Sequence, residues 1–216
     1  MQTACRIDHI TVTAPTLEAG AEFVQRSLGI LPQAGGEHPR MGTHNLLLLL
    51  LLRLGDALFL EVIAPNPGAA APARPRWFGL DAMARDTAPS LVTWVVRTPD
   101  IRASVAACPV TLGNIEPMSR GALDWLITIP ADGAPPLNGV APALIQWSGD
   151  VHPAMSLQDH GLSLARLELF HPEPERIARM LLSLGLDEQL SVSRSTDERA
   201  AGLVAHINTP QGLRRL

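Results

Sequence analysis

Lysine is absent from this 216-residue sequence, and all seventeen basic residues are arginine. That removes a Schiff-base lysine, a phosphate-loop lysine and a Ser–Lys dyad from consideration. Tyrosine is absent as well, so no tyrosine general acid can operate. The two cysteines, Cys5 and Cys108, lack any metal-ligand spacing and fit a reducing cytoplasm better than a disulfide framework. Cys108, just before Pro109, reads as a packing residue. Aromatic residues make up 4% of the chain, which argues mildly against ligand capture by ring stacking. Charge is sparse too, at 18% of residues with a net value of −4 and both signs interspersed, so no basic stripe points to nucleic acid. With 46% hydrophobic residues, the chain is globular and long enough to bury a real core.

The seven leucines from Leu46 to Leu52 are too few for a membrane span of about 20 residues, and Arg53 follows directly. The run also lies too far into the chain for a signal peptide. Followed by LFLEVI, it reads as one strand of a buried hairpin turning around Gly55-Asp56. The expectation is a cytoplasmic protein with no membrane partner.

Near the start, IDHITV alternates, with His9 and Thr11 on one strand face and Ile10 and Val12 on the other. A helix is predicted from Thr16, whose hydroxyl suits an N-cap. Leu17, Ala21, Val24 and Leu28 form its apolar stripe, and Gly29 is its C-cap. In LFLEVI, Glu61 shares a face with Phe59 and Ile63. A histidine and a carboxylate on otherwise apolar strands converge if those strands are neighbours, and such a pair can hold a divalent metal.

The pattern recurs. Residues 5–66 read as strand, helix, glycine-rich loop and hairpin, and residues 67–88 as a Pro/Ala/Gly linker without regular structure. Residues 89–150 repeat the order, with Thr93 matched to His9 and Gln146 to Glu61 at nearly equal separation. Residues 162–216 begin a third, incomplete unit in which neither Ala165 nor Arg166 offers a ligand opposite His9. Similar spacing of similar patterns marks a duplicated βαβββ unit.

DHITV with His9, the helix end SLGI, GGEHPRMGTHN and FLEVIAP with Glu61 together resemble the vicinal oxygen chelate superfamily and its glyoxalase-like domain proteins. The resemblance implies an α+β fold: tandem βαβββ modules forming a curved, cup-shaped sheet, helices on its convex side, with the extra C-terminal unit appended. It also implies a homodimer and a cup that takes a small molecule. In metal-dependent members the metal chelates two neighbouring oxygens of the substrate. Carried over by position, His9, Glu61 and Gln146 are the expected ligands of a divalent ion (zinc, nickel, manganese or iron), with Glu61 doubling as the catalytic base. Thr93 departs from the ligand pattern.

His38, His44 and Asn45, beside Gly35, Gly36 and Gly42, are candidates for substrate contact at the cup's edge. Arg97, in register with Thr93, is a candidate for an anionic substrate group. Trp94 and Trp147 read as core beneath a helix, and His152 as a surface residue. Three functions stay open: metal-assisted lyase, isomerase or dioxygenase chemistry; metal-free binding or sequestration in the same cup; and a scaffold whose third unit docks a partner.

Overall fold

A computed structural model describes residues 5–52, 56–186, 190–195 and 201–216. The first unit comprises β1 (Arg6–Thr13), α1 (Leu17–Leu28), β2 (Gln33–His38), β3 (Thr43–Leu51) and β4 (Ala57–Pro65). The second comprises β5 (Ser90–Arg97), α2 (Ile101–Ala107), β6 (Asn114–Arg120), β7 (Leu123–Ile129) and β8 (Ala143–Trp147). In each, the first strand pairs in parallel with the last, and the remaining strands follow antiparallel. The units join through β1 and β5, which run antiparallel at the centre of one open, curved twelve-stranded sheet. The Gly55 end of the anticipated turn lies outside the described residues.

The third unit is fuller than its sequence suggested. It carries β9 (Ser163–His171), α3 (Pro174–Leu184), β10 (Leu190–Arg194), β11 (Gly202–Thr209) and β12 (Gly212–Arg215). Its element order matches the others but its pairing does not, because β9 pairs in parallel with β10, the strand just after the helix. β10 and β12 read LSVSR and GLRR and are partly or fully exposed, so no buried alternation announces them.

All three helices press on one face. Val24 and Leu28 of α1, Ile101 of α2 and Ile177, Met180 and Leu181 of α3 share a single core with Ile10, Val12, Leu60 and Leu144. Thr16 caps α1, its hydroxyl accepting the Ala19 N–H at 3.2 Å, and Gly29 closes the helix at φ 79°. Thr16→Ala is expected to cost about 0.5–1 kcal/mol in urea unfolding, with the m-value unchanged. The leucine run is continuously apolar because both of its faces are covered. Leu48 and Leu50 face the helices, while Leu47 and Leu49 meet Phe59 and Ala154 on the other side. Among the described residues, no helix is long and apolar enough to cross a membrane.

The other face curls into a cup. Arg40, just after β2, reaches Glu116 of β6 at 2.6 Å, and Arg74 meets the same carboxylate at 3.0 Å. The segment between the units is not the featureless linker expected. It contains a short 3-10 stretch, Trp77–Ala82, that lays Trp77 and Phe78 across the cup.

Candidate functional site

The cup is a narrow cavity that opens to solvent. Its floor is polar, with His9, His38, Asn45, Glu61 and Arg120, and its walls are Phe59, Trp77, Phe78, Trp125, Trp147, Ile127 and Ile145. Five of the chain's eight aromatic residues therefore line one cavity, so low aromatic content gave no guide to where the rings lie.

His9 and Glu61 meet as anticipated: β1 and β4 are parallel neighbours, and His9 Nε2 stands 3.6 Å from Glu61 Oε2. The imidazole stacks on Phe59, with ring centres 4.5 Å apart. Its other nitrogen, Nδ1, lies 2.7 Å from Asp8 Oδ1 and donates its proton there. Nε2 is the ring nitrogen that faces Glu61 and the cup.

Asp8 was absent from the sequence candidates because strict alternation puts it on the helix face with Ile10. A β-bulge defeats the alternation: Ile7 pairs with Val96 and His9 with the adjacent Val95, so Asp8 is the extra residue and its carboxylate swings toward His9. Asp8 is fully buried, and its second oxygen accepts from Trp147 Nε1 and His152 Nε2, each at 2.9 Å. Burial alone would raise its pKa. The hydrogen bonds from His152 and His9 and their positive fields outweigh burial and hold the carboxyl well below the usual range. His152 is thus a part of the site rather than a surface residue, and Trp147 is a cup wall rather than core under a helix.

Glu61 is held by Asn45, whose Nδ2 donates to Oε1 at 2.6 Å, and more loosely by the Thr11 hydroxyl at 3.5 Å. Asn45 Oδ1 in turn accepts from the Gly36 N–H at 2.8 Å and from Arg120 Nη1 at 3.1 Å. The glycines of GGEHPRMG supply space. A Cβ on Gly35 would stand 2.2 Å from Asn45 Oδ1, and one on Gly36 would stand 2.6 Å from Arg120 Cδ. Arg120, at the end of β6, carried no sequence signal because only the curl of the sheet brings it over the first unit. Burial pulls its guanidinium's pKa down, and the Glu61 carboxylate opposes that shift. His38 bonds to the Thr43 hydroxyl at 3.1 Å and meets the edges of Trp77 and Trp125. Burial, followed by the nearby Arg120 charge, pushes its pKa down to about 3, so it is neutral at ordinary pH.

Three expected residues do not join the cup. Gln146 turns to the helix face, because Ile145 and Trp147 occupy the cup side of β8, and its Oε1 accepts the Ile101 N–H at the start of α2. His44 alternates away from Asn45 and lies on the side of the sheet that carries Glu18 of α1. Arg97 lies in a neighbouring cleft and donates to the Ala57 carbonyl at 3.1 Å. The cross-strand partner of His9 is Val95, while Thr93 lies opposite Thr11.

This donor set does not fit a resident metal ion. His9 Nε2 and Glu61 would supply two ligands, but the third expected one is on the other side of the sheet. Asn45 Oδ1 is already engaged by a guanidinium, itself a cation. Among the described residues, no group of three or more histidine, cysteine or acidic side chains converges as metal ligands would.

The sequence profile of a family described as "Glyoxalase-like domain" matches residues 7–185. No curated protein matches the chain. Among solved structures, a hypothetical protein from Staphylococcus aureus aligns over 99% of this chain and 85% of its own, with a TM-score of 0.58 and 14% identity. Methylmalonyl-CoA epimerase from Streptomyces coelicolor, in complex with 2-nitronate-propionyl-CoA, aligns over 68% of this chain and 100% of its own (TM-score 0.46, 18% identity). The Mycobacterium tuberculosis epimerase aligns over 68% and 87% (TM-score 0.39, 15% identity). With the profile spanning most of its length and the cup-shaped sheet in place, the chain belongs to the glyoxalase-like domain family.

Proposed function

We propose that the cup binds a flat, small organic acid and can move a proton on it without a resident metal. The observation that carries this reading is the floor itself: His9, fixed by Asp8, presents Nε2 to Glu61 at 3.6 Å beneath walls of aromatic rings. The rings suit a planar ligand, and the Arg120 guanidinium suits its anionic oxygens. For a 2-oxo acid, a Glu61 carboxylate would take the proton from the carbon beside the carbonyl. The electron pair would then move to the carbonyl oxygen as an enolate facing Arg120 and His9. Return of the proton to the same carbon completes the exchange. Glu61 is thus the expected base in its originally expected role, but with Arg120 where a metal ion was expected.

The test uses protein freed of divalent ions by chelation. In a tryptophan-fluorescence titration, 1-naphthoate is expected to bind about tenfold more tightly than 1-naphthamide, and Arg120→Gln to erase that preference. Phenylpyruvate in heavy water is expected to take up deuterium at its benzylic carbon faster than with Glu61→Gln, as read by proton NMR. Equal affinity for acid and amide, or binding that requires an added divalent ion, would overturn the reading. A second reading, sequestration without turnover, draws on the concentration of rings in the walls, and the same titration with no deuterium exchange would select it.

A further inference from the structure

A second cleft lies on the far side of Trp147 and His152 from the cup, with about 870 Å³ of space open to solvent. Arg6, Arg97, Thr98, Pro99 and the loop from Gly149 to Val151 form the rest of its lining. Arg97 is half-buried here. Its Nη2 donates to the Ala57 carbonyl at 3.1 Å, and its Nε is buried without a partner. Among the described residues, no carboxylate forms an ion pair with it. The nearest buried acid, Asp8, is already committed to His9, Trp147 and His152.

Arg6, the second guanidinium of the cleft, makes a 3.3 Å pair with Asp56 in which both partners are exposed, an arrangement that holds its guanidinium only weakly in place. Burial lowers the pKa of Arg97; the field of Asp8 opposes that shift, the neighbouring Arg6 charge adds to it, and the Asp56 carboxylate opposes it weakly. Two adjacent guanidiniums, one with an unused buried donor, make a place where an anion would be favoured.

We propose that this cleft is an anion site, separate from the cup, that takes a phosphate group between Arg97 and Arg6 with His152 on its inner wall. Two planar forks of N–H donors match a tetrahedral dianion better than a single carboxylate. The volume exceeds what one inorganic phosphate fills, so the group can arrive free or as the terminus of a larger molecule. The one carboxylate in the lining, Asp150, is exposed on the loop.

Calorimetric titration of the full chain at low ionic strength, with inorganic phosphate and with phenyl phosphate, tests this directly. Saturable one-to-one binding is expected, weakened about tenfold or more by Arg97→Gln and by Arg6→Gln. Arg120→Gln, which alters the cup alone, is expected to leave it intact. Arg6 is the more exposed of the pair, so its variant keeps the test valid if Arg97→Gln fails to fold. Tighter binding of phenyl phosphate assigns the site to a phosphorylated molecule, and equal binding assigns it to the free ion. Absence of saturable binding, loss of binding in Arg120→Gln with Arg97→Gln unaffected, or competition by chloride as strong as by phosphate would each overturn the proposal.

Discussion

Asp8→Asn is expected to be among the most damaging single-atom exchanges in this protein, lowering the unfolding free energy by about 3–5 kcal/mol. The carboxylate is fully buried and accepts from three donors, His9 Nδ1, Trp147 Nε1 and His152 Nε2. An asparagine offers one oxygen and an NH2 group. Turned one way, its NH2 group faces the N–H groups of Trp147 and His152; turned the other, it faces His9 Nδ1, which must then give up its own proton to accept. The effect on the cup follows from the same contact. Without the carboxylate at Nδ1 the imidazole loses the contact that fixes its ring beside Glu61 and the developing enolate. Guanidinium unfolding measures the stability change, and deuterium uptake by phenylpyruvate measures the loss of proton transfer. Ala in place of Thr11, whose 3.5 Å contact to Glu61 is long, is the comparison that leaves the Asp8 cluster intact. A stability loss below about 1 kcal/mol for Asp8→Asn would show that the three contacts are not made together in solution.

How legible this site was in the sequence depended on which local rule held. His9 and Glu61 were readable because β1 and β4 pair side by side in parallel with no register shift between them. Asn45 and His38 were readable through their company, since two glycines cleared space that only a close packing partner explains. Asp8 was hidden by a bulge that breaks the alternation, although it is adjacent in sequence to His9. Gln146 was misplaced by one residue of strand register, and one residue turns a side chain to the opposite face. Arg120 and Trp147 belong to the second unit and meet the first only through the curl of the whole sheet, a distance that no spacing rule spans. The same holds for Phe78, which sits in a segment with no periodicity and at a positive φ of 58° that bulky residues seldom adopt. The repeat was likewise legible in the first two units because their strands are buried. It faded in the third, where the exposed β10 and β12 need no apolar pattern.

Acid stability should carry the signature of a second buried group, His38. In the folded chain its pKa is pushed down to about 3, first by burial and then by the charge of Arg120, with smaller effects from His9 and His44. The unfolded chain titrates it at the ordinary value of about 6.5. Between those two values the unfolded state binds a proton that the folded state refuses, so stability is complete above about pH 6.5 and falls as the pH drops toward 3. At pH 4.5 the loss due to this one side chain is roughly 2–3 kcal/mol, since each pH unit is worth about 1.4 kcal/mol. His38→Gln removes the titration while keeping a polar group near the Thr43 hydroxyl. The variant should be less stable than the parent at pH 7.5, having lost the ring's contacts with Trp77 and Trp125, and the difference should shrink by those 2–3 kcal/mol at pH 4.5. Asp8 follows its own course: its depressed pKa contributes stability that is present above the ordinary carboxylate value and is lost only as the pH falls through the folded one. Measurements held at pH 4.5 and above therefore isolate His38. Parallel stability curves for parent and variant across that range would mean that the ring takes up its proton in the folded protein, and that the cup floor tolerates a second cation beside Arg120.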